Sequence, residues 1–149
     1  MGTLYEVNGT TGAVTMESNK TAVGYVKIEV ALSGTPITIS ASASNQIVTG
    51  FTYTIPSAGD GNYIIHVAMT VDAGSVDNKP FEIMLAKNGS VIANSITGDY
   101  MKKNEQQSIQ ITYPVDGLVA ADVIAVYCNN DNVASDVLLG RMLLQCWTS

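Results

Sequence analysis

From residue 62 to residue 72 the chain reads NYIIHVAMTVD, and it alternates. Tyr63, Ile65, Val67, Met69 and Val71 share one face, and Asn62, Ile64, His66, Ala68 and Thr70 share the other. A period of two belongs to a β-strand that packs one face into a core. The second face is only partly polar, so it is expected to lie against another chain. Residues 81–87, FEIMLAK, put Phe81, Ile83 and Leu85 on one face, and Asn88-Gly89 follows at once. Asn-Gly between apolar runs signals a tight hairpin, because both residues tolerate positive φ. Residues 90–96 are expected to resume a strand, and 98–103 to form an exposed loop carrying Tyr100. Residues 107–113 turn Ile109, Ile111 and Tyr113 inward, and a break is expected at Pro114-Val115-Asp116-Gly117. Residues 122–128, DVIAVYC, are almost continuously apolar, as expected of a central strand. Residues 137–147 form the last strand. Shorter runs at 35–42, 46–49 and 51–55 precede a turn at 56–61.

No segment carries a helical period. Runs of this length, punctuated by Gly, Asn, Asp and Pro, indicate a sandwich or a barrel. Residues 1–33 alternate well only from 25 to 32 and are expected to be an N-terminal arm, followed by one domain over 34–149. Composition sharpens this. The 149 residues include 16 Val, 13 Ile and 14 Thr but only 8 Leu. β-Branched side chains fit a pleated sheet and crowd a helix. Only 13% of residues are charged, and Thr, Ser (12) and Asn (11) supply the polar surface instead.

The net charge of −6, with seven Lys and Arg together, leaves too few cations to track a phosphate backbone, so no nucleic-acid partner is expected. No apolar run approaches the ~20 residues of a membrane helix, and no membrane partner is expected. The start MGTLYEVNGTTG has neither the basic nor the apolar region of a signal peptide.

Candidate chemistry is sparse. His66 is the one histidine, and it lies mid-strand, away from the loops where catalytic groups gather. Cys128 and Cys146 stand in apolar company and read as buried thiols rather than a disulfide or a nucleophile. The segment Asn129-Asn130-Asp131-Asn132, with Asp136, offers oxygen ligands. Calcium takes six to eight such ligands, so Asn130, Asp131 and Asp136 are metal candidates, although Asn and Asp are also ordinary turn formers. Residues 72–77 are a weaker candidate of the same kind. Glu29, Glu82 and Glu105 have no evident partner for acid–base work. No enzymatic activity and no cofactor are expected.

Three motifs carry a family resemblance. Gly61-Asn62-Tyr63 opens the longest alternating strand, Lys87-Asn88-Gly89 forms a hairpin, and Leu118 is followed by Ala121-Asp122 and an apolar strand. Together they resemble the tumour necrosis factor-like jelly rolls, the fold of complement recognition heads, although Ala121 replaces that family's usual Gly. The likeness covers residues 35–149. It is greatest to small domains of phage head fibres, decoration proteins and tail fibres. The resemblance implies a jelly-roll sandwich and a homotrimer packed around a threefold axis by one sheet. It puts Ile64, His66, Ala68, Ser108, Gln110 and Thr112 at that interface. It further implies a structural protein on a virion surface, joined to a capsid or tail protein through the arm. The alternative is a receptor-binding tip, whose partner would be a host-surface glycan.

Overall fold

A computed structural model describes residues 5–7, 14–16, 26–30, 36–57, 59–72 and 79–148. The described strands are β1 (Tyr5–Val7), β2 (Val14–Met16), β3 (Val26–Val30), β4 (Ile37–Ile39), β5 (Ala43–Thr54), β6 (Gly61–Asp72), β7 (Lys79–Lys87), β8 (Ser90–Val91), β9 (Thr97–Met101), β10 (Gln106–Leu118), β11 (Val123–Asn130) and β12 (Val137–Thr148). Helix among them is confined to one 3-10 turn, Ala93–Ser95. Most of the segment 1–33 and of 72–77 lies outside the described residues.

The strands form a jelly-roll sandwich of two antiparallel sheets. One runs β10-β6-β12-β3, with β4 also on β12. The other runs β5-β11-β7-β8, with β9 also on β7. β3 falls inside the expected arm yet pairs with β12 from Cys146↔Val26 to Met142↔Val30. β1 and β2 make a separate two-stranded sheet.

The core lies between the sheets, where inward faces interdigitate. The expected face of β6 is buried throughout, from Tyr63 to Val71, and meets Ile109 and Ile111 of β10 and Leu139 and Leu144 of β12. Phe51, Phe81, Ile83, Leu85, Ile124 and Val126 fill it from the other sheet. Met84 and Ala86, on the opposite face of β7, are buried as well.

Four expectations are corrected. The expected strand 90–96 ends after Val91, where the chain folds into the 3-10 turn. There Ser95 Oγ accepts from Leu85 N–H (2.9 Å), replacing a ladder bond, and donates to Ile92 O (2.7 Å). The expected loop 98–103 begins as β9, whose Thr97 pairs with Ile83 and whose Tyr100 pairs with Pro80. The expected break at Pro114 is absent, and β10 continues to Leu118 across a bulge between Val115 and Leu118. Proline is tolerated because β10 is an edge strand, and Gly117 takes the positive φ of 63° in the bulge. Finally, the runs 46–49 and 51–55 belong to one strand, β5, bent at Gly50 (φ 83°).

Candidate functional site

The outward face of β6 sits in the middle of its sheet. Ile64, His66 and Ala68 lie there opposite Pro114, Thr112 and Gln110 of β10, and Ser108 lies opposite Thr70. The six residues expected at an interface therefore share one surface. On the other side of β6, Trp147 pairs with Ile64, Gln145 with His66 and Leu143 with Ala68. The surface thus carries two apolar pairs, Ile64–Trp147 and Ala68–Leu143, separated by the polar row Thr112–His66–Gln145. Ile64, Ala68, Leu143 and Trp147 are all half-buried in the single chain, whereas Ser108, Gln110 and Thr112 are exposed.

Leu143, Gln145 and Trp147 were not legible as members of this face because β12 changes parity. Val137 and Leu139 are buried, but beyond a bulge between Leu139 and Met142 the buried set becomes Met142, Leu144 and Cys146. Gly140 stands in this bulge, and a Cβ there would run into the Thr70 hydroxyl. Only a glycine lets the two strands close up at that point.

His66 Nδ1 and Thr112 Oγ1 share a hydrogen bond of 2.8 Å. The ladder partners that flank His66, Thr112 and Gln145, are neutral. A catalytic imidazole needs an orienting group on one nitrogen and a nucleophile at the other. Here the Nδ1 contact is a threonine, and the residue is built into the face as a hydrogen-bonding group.

The asparagine-rich segment after β11 is used internally. Asn130 is 1% exposed, and its Nδ2 donates to Ser40 O (3.0 Å), Ser135 O (3.1 Å) and Ile39 O (3.4 Å). Its Oδ1 accepts from Asn132 N–H at 3.1 Å. Asp136 Oδ1 accepts from Ala41 N–H at 2.8 Å, and Asn129 Oδ1 from Asn45 N–H at 2.7 Å. The Asp131 carboxylate is exposed beside this network. An oxygen already accepting a backbone N–H has less to offer a cation that needs six or more ligands. Among the described residues no three His, Cys, Asp or Glu side chains gather as a metal site.

Cys128 and Cys146 are free and buried, one in each sheet. Burial disfavours the thiolate and pushes both thiols up, Cys146 to about 12. They are inert core residues at neutral pH.

Two of the motifs behind the family resemblance meet. Lys87 Nζ lies 2.8 Å from Asp122 Oδ2, and Asn88 Nδ2 donates to Asp122 Oδ1 at 2.7 Å. Asn88 Oδ1 accepts from Val123 N–H at 2.8 Å, and Asp122 Oδ2 from Val119 N–H at 2.9 Å. The β7–β8 turn and the β10–β11 turn are therefore locked together. Asn88 and Gly89 take φ of 51° and 83°, as the hairpin signal requires. The bond from Lys87 and the N–H and amide donors hold the Asp122 carboxyl at about 2, below its usual 3.8.

No family model matches the chain, and no curated protein matches it in sequence. Solved structures resemble it in fold. The structure of infectious bursal disease virus, Gx strain, aligns over 97% of this chain and 37% of its own, with TM-score 0.59 and 8% identity. The PRD1 vertex protein P5 aligns over 99% of this chain and 83% of its own, with TM-score 0.55 and 16% identity. Dimeric latent PorU from Porphyromonas gingivalis aligns over 85% of this chain and 13% of its own, with TM-score 0.51 and 14% identity. The chain spans a little over a third of the bursal disease virus chain that it matches. Virus-particle proteins are thus prominent among its structural neighbours.

Proposed function

We propose that this chain is a non-enzymatic structural protein of a virus particle. It acts as a homotrimeric jelly-roll decoration or short fibre on a bacteriophage capsid or tail. The observation that carries this reading is the likeness in fold to the solved chain of the PRD1 vertex protein P5, over 99% of this chain and 83% of that one. The outer face of the β10–β6–β12 sheet supports self-association. Its apolar pairs are larger than a solvated sheet face needs, and they are rimmed by the short polar side chains Ser108, Gln110 and Thr112. Segment 1–33 is the attachment arm in this reading. Its last strand, β3, would anchor it to the sandwich through β12.

Multi-angle light scattering of the purified chain should give three times 15.7 kDa. An antibody against the chain should label purified virions, and deletion of residues 1–24 should abolish the label while the soluble chain remains trimeric. A monomer at micromolar concentration, or virions that carry no label, would overturn the reading.

A further inference from the structure

Asn88 and Gly89 are the two central residues of the turn between β7 and β8, with φ of 51° and 83°, and both are exposed. An asparagine followed by glycine can lose its side-chain amide to its own backbone, because no Cβ on the next residue shields the attacking nitrogen. We propose that Asn88 is a site of spontaneous deamidation held shut by Asp122, and that the reaction opens this end of the sandwich irreversibly. This property goes beyond the particle role above and does not depend on it.

The step balances with water alone. The Gly89 nitrogen gives its proton to solvent and bonds to Asn88 Cγ. The Cγ–Nδ2 bond breaks, and the amide nitrogen leaves as ammonia. Water then opens the resulting succinimide at one of its two carbonyls. Opening at one leaves aspartate at position 88. Opening at the other leaves isoaspartate, whose main chain runs through the former side chain. The exposure of the turn gives water access to both stages.

The gate is the way in which the folded chain holds the amide. Asn88 Nδ2 donates to Asp122 Oδ1 at 2.7 Å, and Asn88 Oδ1 accepts from Val123 N–H at 2.8 Å. The Asn88 N–H donates to Val123 O at 2.8 Å as well. Both ends of the amide are thus bonded across to Asp122 and Val123, and Cγ must release both before it can swing over the Gly89 nitrogen. Asp122 cannot follow it, because its other oxygen accepts from Val119 N–H at 2.9 Å and pairs with Lys87 at 2.8 Å. The reaction is therefore confined to moments when this end opens locally, and local openings cost less than global unfolding.

The reaction also destroys its own gate. Aspartate at position 88 puts a carboxylate oxygen where Nδ2 donated, against Asp122 Oδ1. Two carboxylates then share one cation, Lys87, and like charges this close disfavour each other. Isoaspartate instead adds a carbon to the main chain inside a two-residue loop, whose length and twist set the pairing of Lys87 with Ser90. Either product loses the amide bond to Asp122, so the closed arrangement does not return.

Incubation of the purified chain at neutral pH, followed by mass spectrometry, tests this. Cleavage after Glu82 and Glu105 releases residues 83–105, and fragmentation separates Asn88 from Asn94 and Asn104. In the folded parent, Asn88 should deamidate about tenfold or more slowly than in concentrated guanidinium chloride, as befits a reaction that waits for a rare opening. Asp122→Ala should speed the folded-state reaction severalfold. Asp122→Asn keeps the size of the side chain without its charge. It should fall between the two, and it replaces the alanine variant if that one does not fold. Asn130→Ala weakens the opposite end of the sandwich and should leave the rate near that of the parent. Asn88→Asp, which mimics one product, should melt several degrees below the parent. Four results would overturn the inference: a folded parent that reacts as fast as the denatured chain, Asp122 variants as slow as the parent, Asn130→Ala as fast as Asp122→Ala, or Asn88→Asp melting with the parent. None of these bears on the mass or the virion label, so the particle role stands or falls separately.

Discussion

Lys87 and Asp122 are 35 positions apart, and their charged atoms are 2.8 Å apart. Their pairing closes one end of the sandwich. Lys87 Nζ also reaches Gly117 O at 3.3 Å, and Asp60 Oδ1 accepts from Ala120 N–H at 2.6 Å, so three turns converge there. The Asp122 side chain is 9% exposed and that of Lys87 34%, so the carboxylate is covered while the ammonium stays in contact with water.

This arrangement gives stability a dependence on acid. The Asp122 carboxyl titrates near 3.8 when unfolded and at about 2 when folded. A carboxyl lowered by folding stabilises the native state above its unfolded value, and the contribution disappears as pH falls through the folded value. The melting temperature should therefore fall between about pH 4 and pH 2. Asp122→Asn should melt lower than the parent at pH 7, and the gap should narrow at pH 2. A gap that does not change with pH would show that the carboxylate charge contributes nothing.

Ala121 lies next to this pair with φ of 69°. A left-handed backbone at a residue with a Cβ costs roughly 1–2 kcal/mol, and glycine escapes that cost while losing part of the gain to its greater unfolded-state freedom. Ala121→Gly should therefore stabilise the fold by about 1 kcal/mol, raising the melting temperature by roughly 3–5 °C. Calorimetry of the two proteins at pH 7 measures the difference.

Asn130 is the hub of the opposite end. Its removal leaves three carbonyls and the Asn132 N–H without their side-chain partner. Asn130→Ala should cost about 3 kcal/mol, since each buried group left unpaired costs roughly 1–3 kcal/mol and some will find water. Asn130→Asp keeps the acceptor but turns a donor into a carboxylate facing carbonyl oxygens. It should be the less stable of the two at pH 7 and should recover as the carboxyl protonates. Urea denaturation of both variants at pH 7 and pH 4 checks the ranking.

What could be seen in advance follows from regularity. β6 alternates without interruption over its whole length, so both its buried set and its outward set, Ile64, His66 and Ala68, were legible. β12 alternates equally well on each side of its bulge, but one extra residue near Gly140 inverts the parity, and Leu143 and Trp147 were hidden. β5 is hidden in the same way by Gly50. β9 escaped because its sequence, TGDYM, buries only Met101. Its strand identity comes from the ladder with β7, and Gly98 permits that approach: a Cβ there would stand 2.5 Å from Phe81 O. Lys87 and Asp122 were legible as separate turn motifs, but their contact depends on how two sheets close, which no local pattern encodes.

The interface assignment makes the most demanding prediction. Ala68 sits at the centre of the outer face, between Gln110 on one side and Leu143 on the other. In a threefold assembly built on this face, one substitution appears three times around the axis. Ala68→Asp would place three carboxylates in a surface whose nearest ladder partners carry no positive charge. Desolvating an unpaired charge costs several kcal/mol per ion, and the mutual repulsion adds to it. The fold of the single chain should survive, because Ala68 points away from the core. The mass by light scattering should therefore fall from three chains to one while the far-ultraviolet spectrum is retained. Thr52→Asp supplies the control: Thr52 is exposed on β5 in the other sheet, so the same charge there should leave the assembly intact. Trp147 gives an independent reading, since it is the cross-strand partner of Ile64 on the same face and its emission should shift to the red when the face is exposed. A trimer that tolerates Ala68→Asp with unchanged mass and unchanged emission would remove this sheet from the axis.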